Sequence, residues 1–552
     1  MVLGLTMAAR CRVGPLVTEG PDSPWLAARE GSEIMRTICL VGVMLLQAGA
    51  QVRDISGTWV GKMQARFGEV ELTYQLKVEN GKITGKQILP FAEWPIVDGK
   101  TDGDQFEFTV NAEFFGNAQK LVVKGEVAGD ELRVTPAMPV PPPGQAPEDA
   151  REAFRPGLVV MRRGIPTPSY RAPAVDYSKL PKVELPAPKE IPDNGLAETP
   201  PMGWNSWNKF ATKIDDKTVR EIADALVASG MRDAGYAFVN IDDGWQGERD
   251  EKGVLRPNPH FPDMKALADY VHAKGLKLGI YSSPGPRTCA GFEGSYSHEA
   301  IDAKTWADWG IDYLKYDWCS AGRVWKDEDM QAVYQRMGEA LRAAGRPIVY
   351  SLCQYGRAKV QEWAPKVGGN LWRTTWDIRD RWKSMDGIGF GQFAIASYAR
   401  PGHWNDPDML EIGNGGMTND EYRTHMTLWS LLAAPLLAGN DLRAMNDETK
   451  SILMNREVIA IDQDPSAKPV TKISEQGPTL VAARPLYDNS LAVGLFNRGE
   501  AAATIIVRWA DLGLQGKLSV RDLWAHQDLG ARDDQFSVTV PPHGVVLIRV
   551  KR

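Results

Sequence analysis

From residue 200 onward the sequence alternates short apolar runs with amphipathic helical segments, and this alternation restricts the fold more than any other feature of the chain. Strands alternating with helices imply a parallel sheet, because parallel neighbours need long crossover connections. Val219, Ile222, Ala223, Leu226 and Val227 recur at helical spacing behind an Asp215-Asp216 start signal, and a strand over 237–241 follows. The same unit repeats, with strands expected at 202–205, 276–281, 311–316, 348–352, 370–375, 402–405 and 434–437. Eight strands in this span fit a closed (β/α)₈ TIM barrel over 199–465 better than an open doubly wound sheet, since no glycine-rich phosphate fingerprint follows the first strand.

A chain of 552 residues is longer than such a barrel, so flanking units are expected. Alternating segments at 72–78 and 106–110, broken by Glu79-Asn80-Gly81 and Asp102-Gly103-Asp104, predict an N-terminal β-domain over 51–165. Its opening Gly57-Thr58-Trp59 resembles lipocalin-like barrels, a phrase too short to imply a role. A Pro-rich stretch over 166–198 reads as an extended linker. After Asp462-Gln463-Asp464-Pro465 the helical pattern gives way to alternation, as at 491–496 and 536–540, which predicts a C-terminal antiparallel β-sandwich over 466–552.

Residues 1–50 read as a leader: Arg36, an apolar run over 38–46 too short to span a bilayer, then Ala48-Gly49-Ala50, with Met35 as the expected true start. A secreted or periplasmic protein without a membrane anchor is expected. Cys11 and Cys39 fall in the leader, which leaves Cys289, Cys319 and Cys353 to supply one disulfide and one free thiol. A net charge of -6 without a Lys/Arg run implies neither nucleic acid nor an anionic membrane as partner, and a neutral ligand suits it better. Eighteen Trp residues offer flat faces of the kind that sugar rings stack on, although most Trp is core. His260, His272, His298 and His403 are scattered without ligand spacing, so neither metal nor other cofactor is proposed.

Active sites of such barrels lie at the C-terminal strand ends. Asp242 and Asp243 follow the second strand, Asp317 the fourth, Asp377 the sixth, and Asp406 and Asp408 the seventh. Any one of them could equally cap a helix; four strands ending this way are harder to dismiss. Tyr313, Lys315 and Asp317 share one side of a strand, and a cation beside Asp317 would favour its ionised form. An ionised carboxylate facing a protonated carboxyl is what glycosidases need, but the residues alone leave open which is which.

Thr199-Pro200-Pro201-Met202-Gly203-Trp204-Asn205-Ser206-Trp207, Asn240-Ile241-Asp242-Asp243-Gly244-Trp245, Thr288-Cys289-Ala290-Gly291, Tyr313-Leu314-Lys315-Tyr316-Asp317-Trp318-Cys319, Arg373-Thr374-Thr375-Trp376-Asp377 and Trp404-Asn405-Asp406-Pro407-Asp408 resemble, in order, the motifs of glycoside hydrolase family 27. That family contains α-galactosidases and α-N-acetylgalactosaminidases. The resemblance implies Asp317 as nucleophile and Asp377 as acid/base of a retaining α-galactosidase acting on a galactose-containing glycan. It also implies Asp242 and Asp243 on the sugar's 4- and 6-hydroxyls, Lys315 as a further sugar ligand, Trp204 and Tyr281 as pocket walls, Arg373 near the 2-hydroxyl, Asp408 at the mouth, and a Cys289–Cys319 disulfide. For Trp204 and Tyr281, ordinary core packing is the alternative.

The departure is Ser351-Leu352-Cys353-Gln354-Tyr355-Gly356, where many relatives have Cys-Glu-Trp. It places Cys353 and Tyr355 among the substrate-binding candidates, with Gln354 beside them removing a charge near the 2-hydroxyl. An N-acetylgalactosaminidase would carry small residues there, and an arabinopyranosidase would alter the Asp242-Asp243 pair. β-L-arabinopyranosidase, α-N-acetylgalactosaminidase, galactosyl transglycosylase and non-catalytic carbohydrate binding are the competing readings.

Overall fold

The computed structural model describes residues 54–65, 68–89, 92–114, 117–139, 157–166 and 175–552; the expected leader lies outside these residues. No helix among them is long and apolar enough to cross a membrane.

The N-terminal β-domain is a closed barrel of eight antiparallel strands, Gly57–Ala65, Gly68–Glu79, Lys82–Leu89, Ala92–Asp102, Gln105–Phe114, Asn117–Ala128, Glu131–Thr135 and Val159–Arg163. Each pairs with the next and the last returns to the first, Gly61 opposite Met161. The second hairpin turns at Asn80 and Gly81, φ 52° and 73°, the doubly left-handed turn that matches strand twist. Alternate residues point inward, so Trp59, Leu72, Tyr74, Phe106 and Phe108 fill a core of the barrel's own.

The central domain is the parallel barrel. Its strands are Met202–Asn205, Phe238–Asn240, Lys277–Ser282, Tyr313–Asp317, Val349–Cys353, Leu371–Arg373, Trp404–Asp406 and Leu436–Ala438, each within two residues of its expected start. All pairings are parallel, and the eighth strand returns to the first with Leu437 opposite Gly203. Closure between the seventh and eighth is made one step late. Pro407 cannot donate to a ladder, so the bond passes to Leu410, whose N–H donates to Leu437 O (2.8 Å) while Gly439 N–H donates to Leu410 O (2.9 Å). The outer helices start where sequence signals place them: Asp215 accepts from Thr218 N (2.8 Å), and Thr418 and Glu421 form a reciprocal capping box.

The Pro-rich stretch, where described, lies packed on the barrel. Tyr296 donates to Pro181 O (2.8 Å), Ile191 N–H to Lys366 O (2.8 Å), and the Asn194 and Asn370 side chains bond each other at 2.9 Å. Gly338 makes room for it, because a Cβ there would lie 2.8 Å from Ile191 Cδ1 and 2.1 Å from Val367 O.

The C-terminal domain sets a six-stranded antiparallel sheet against the pair Ala503–Arg508 and Gln535–Val540, burying Val493, Leu495, Val507, Trp509 and Phe536 between them. Phe496 and Leu547 instead join the core of the parallel barrel, and buried Arg484 donates to Ser430 O and Ile461 O there.

Candidate active site

Strand alternation sorts the barrel's side chains into stacked levels. At the lowest, Phe238, Tyr313 and Leu371 from the second, fourth and sixth strands pack together with Trp404. Two residues further along come Asn240, Lys315 and Arg373, and two further still Asp242 and Asp317. Polar chemistry thus begins where the apolar plug ends.

The carboxylates form a connected cluster. Lys315 Nζ donates to Asp242 Oδ2 at 2.7 Å, and Asn205 Nδ2 donates to the same oxygen at 2.8 Å. Tyr281 donates to Asp317 Oδ2 at 3.0 Å, leaving Oδ1 buried without a hydrogen-bond partner among the described residues. Asp243 Oδ2 accepts from Ala290 N–H at 2.7 Å, and its Oδ1 is likewise unpartnered. Two buried carboxyl oxygens held ready by their sister atoms are what a hydroxyl-rich ligand requires. Across the mouth, Arg373 Nη2 bridges Asp377 (3.1 Å) and Asp408 (3.0 Å); Asp377 keeps 21% of its side chain exposed, against 2–5% for Asp242, Asp317 and Asp408.

Burial divides these acids. It pushes Asp243 up to about 8, reinforced by Asp242 and Asp317 and opposed by the Ala290 N–H, so this carboxyl holds its proton at neutral pH. Burial pushes Asp317 up to about 6, with Lys315 pulling it down and Asp377 pushing it up. The cation expected to keep Asp317 ionised therefore acts at a distance: its direct partner is Asp242, and desolvation outweighs it. Burial also raises Asp406 to about 6 against Arg373, which faces it across the sheet. Burial disfavours charge on Lys315, but the neighbouring Asp242 holds the ammonium well above its ordinary value.

Cys289 and Cys319 are joined by a disulfide and Cys353 is a buried free thiol. The bond ties the segment after the third strand to the residue two beyond Asp317, and Tyr281 Oη lies 3.0 Å from Cys319 Sγ. Among the described residues, the one His/Cys/Asp/Glu group close enough to share an ion is Cys289, Asp317 and Cys319, whose sulfurs are already bonded to each other. Cys353 sits beside Asp317 in the sheet, its Sγ 3.7 Å from Arg373 Nη1.

Two sequence-based placements change. Asn205 reaches Asp242 inside the barrel, so its neighbour Trp204 must point outward; it is fully buried in the strand–helix core, its indole N–H donating to Asn440 O (2.8 Å), and cannot line a sugar pocket. The partly exposed indole at this strand end is Trp207, which opens the short helix Trp207–Phe210. Gln354, expected near the 2-hydroxyl, is fully buried and folded onto its own turn, accepting from Gly356 N–H at 3.3 Å. Tyr355, also buried, is turned at φ 62° to stack on Trp376 (4.7 Å, 13°), and its hydroxyl helps to lower Asp317. Asn205 and Trp376 went unnoticed as site residues, although strand parity marks the first and adjacency to Asp377 the second.

A family model described as alpha galactosidase A matches residues 199–464, and one described as the alpha galactosidase C-terminal beta sandwich domain matches 476–550. The chain is 48% identical over 359 residues to an alpha-galactosidase of Cyamopsis tetragonoloba, covering 64% of this chain and 86% of that protein. The crystal structure of alpha-galactosidase I from Mortierella vinacea superposes with a TM-score of 0.63 at 40% identity, covering 65% of this chain and 98% of the other. A β-L-arabinopyranosidase structure from Geobacillus stearothermophilus gives a TM-score of 0.59 at 27% identity, covering 64% and 97%.

Proposed function

Because the chain belongs to the alpha-galactosidase family, we propose that it removes terminal α-D-galactosyl residues from oligosaccharides, polysaccharides or glycoconjugates by a retaining double displacement. Asp317 attacks the anomeric carbon while Asp377 gives its proton to the departing glycosidic oxygen. Asp377, now a carboxylate, then takes a proton from water, which attacks the same carbon and frees Asp317. The single observation that carries this reading is the asymmetry of the pair. Asp317 is buried against Tyr281 at the end of the fourth strand, and Asp377 is partly exposed on the segment after the sixth, where a leaving group and a water can reach it.

Sugar recognition falls to the second strand's end. Asp242 is paired with Lys315, whereas Asp243 is a neutral acid able both to donate and to accept. Together they fit the 4- and 6-hydroxyls of galactose; Arg373, Tyr355 and Asp408 stand toward the 2-position, with Tyr281 and Trp207 as walls. The intact acidic pair favours galactose over arabinopyranose, which lacks the 6-hydroxymethyl. The disulfide beside the site fits a protein that matures in an oxidising compartment, outside the cell or in a periplasm.

A panel of aryl α-galactoside, α-N-acetylgalactosaminide, β-L-arabinopyranoside and α-glucoside tests the reading. The α-galactoside should lead, with kcat/KM at least about 100-fold above the α-glucoside, since an equatorial 4-hydroxyl leaves buried carboxyl oxygens unpaired. Comparable values for the two, or a lead for the arabinopyranoside, would contradict it.

A further inference from the structure

Asp408 stands at the mouth, yet each of its polar atoms has a partner in the protein. Its N–H donates to Asp406 Oδ1 (2.9 Å), its carbonyl accepts from the Trp429 indole N–H (2.8 Å), and Oδ1 accepts from Met409 N–H (2.9 Å). Oδ2 accepts from Ile378 N–H (2.9 Å) and pairs with Arg373 Nη2 (3.0 Å). These contacts hold Asp408 at φ 91°, a backbone conformation that a residue with a side chain keeps only where its surroundings enforce it. Trp429 is fully buried on the outer helix Asn419–Leu432, so the grip on the Asp408 carbonyl comes from behind the barrel wall.

The Oδ2 atom reaches Asp377 by two routes. Ile378 N–H belongs to the peptide group that joins Ile378 to Asp377, so accepting from it fixes the backbone of Asp377 on its C-terminal side. Arg373 Nη2 lies 3.1 Å from Asp377 Oδ1 and donates to Thr375 O at 3.1 Å, which fixes the carboxyl and the chain just before it. Asp377 lies beyond the strand Leu371–Arg373, on a segment without regular structure, so its place depends on such contacts. We propose that Asp408, held in its strained turn by Trp429, is a positioning residue that fixes both the backbone and the carboxyl of Asp377 for proton transfer. The inference rests on the role proposed for Asp377. A general acid serves only where its proton is aimed at the departing oxygen, and a misplacement of about 1 Å can cost about 100-fold in rate. The loss should grow with the protonation that the leaving group needs. Loss of a sugar ligand acts differently, weakening the transition state by the same factor whatever group departs.

Full-length wild type, D408N, D408A and W429F, assayed on an α-galactoside with a poor leaving group and on an activated aryl one, test this. The same proteins are titrated with the galactose analogue that has hydrogen in place of the anomeric hydroxyl, a competitive inhibitor whose Ki reads the sugar contacts without the departing oxygen. D408N should lose about 10-fold or more in kcat/KM on the poor leaving group and clearly less on the activated one, with D408A losing more. W429F, which removes the N–H on the Asp408 carbonyl and touches no sugar, should show the same split at about 3-fold. The analogue should bind each variant within about 3-fold of wild type, which also shows that the pocket is folded. Equal losses on the two substrates, with the Ki weakened in proportion, would make Asp408 a sugar ligand and overturn the inference alone. A wild type that turns over neither substrate would overturn the functional reading with it.

Discussion

In the proposed mechanism Asp317 has to be a carboxylate to attack, yet burial lifts it to about 6, so its readiness depends on Lys315, which lowers it. The free enzyme's kcat/KM should therefore fall as pH drops below about 6, through protonation of Asp317. Lys315→Met removes the influence that lowers Asp317 and at the same time leaves Asp242, which raises Asp317, without its cation. Both changes push in one direction, so the acid limb should move to higher pH, and kcat/KM at neutral pH should drop by about 100-fold or more. A pH–rate profile of the variant checks this; an acid limb left in place would show that Lys315 does not tune the nucleophile. Asp243, one residue from Asp242, is kept neutral chiefly by burial, with Asp242 and Asp317 adding to it.

Among the elements, the segments after the third and fourth strands are the ones covalently tied. The Cys289–Cys319 bond closes a separation of 30 residues and fixes the chain two residues beyond Asp317. Replacing both by serine should cost roughly 3–4 kcal/mol of stability by the loop-entropy argument, read as a lowered Tm. It should also lower kcat, since Tyr281 loses its neighbour beside Asp317; unchanged kcat would show that the tie matters for stability only. Most elements were legible because their signals are local: a period-two run ending in Asp, a period-3.6 run beginning at Asp215 or Thr418. The paired cysteines were legible through the family motif alone. What was not legible depended on facing. Trp204 and Asn205 are neighbours in one apolar strand, and only the bond from Asn205 to Asp242 reveals which of them looks into the barrel. Tyr355, at φ 62°, opens a left-handed turn that folds the Gln354 side chain back onto Gly356, a conformation that the neighbouring residues do not signal. The passing of barrel closure from Pro407 to Leu410, and the packing of Ile191 into the gap left by Gly338, are long-range events that no sequence window contains.

At the scale of the molecule, the parallel barrel and the sandwich share apolar core through Phe496 and Leu547, whereas the N-terminal barrel fills its own interior. The proposed catalytic pair is thus carried by one parallel barrel, Asp317 ending its fourth strand and Asp377 lying on the segment after its sixth, and the proposal concerns which of these attacks carbon. Proton NMR of the hydrolysis of an aryl α-galactoside, followed from the first minutes before mutarotation equilibrates the sugar, reads the anomer released. Two inversions at the anomeric carbon, the first by Asp317 and the second by water, predict α-galactose as the first product. β-Galactose appearing first would mean a single inversion by water and would contradict the assignment of Asp317 as the nucleophile.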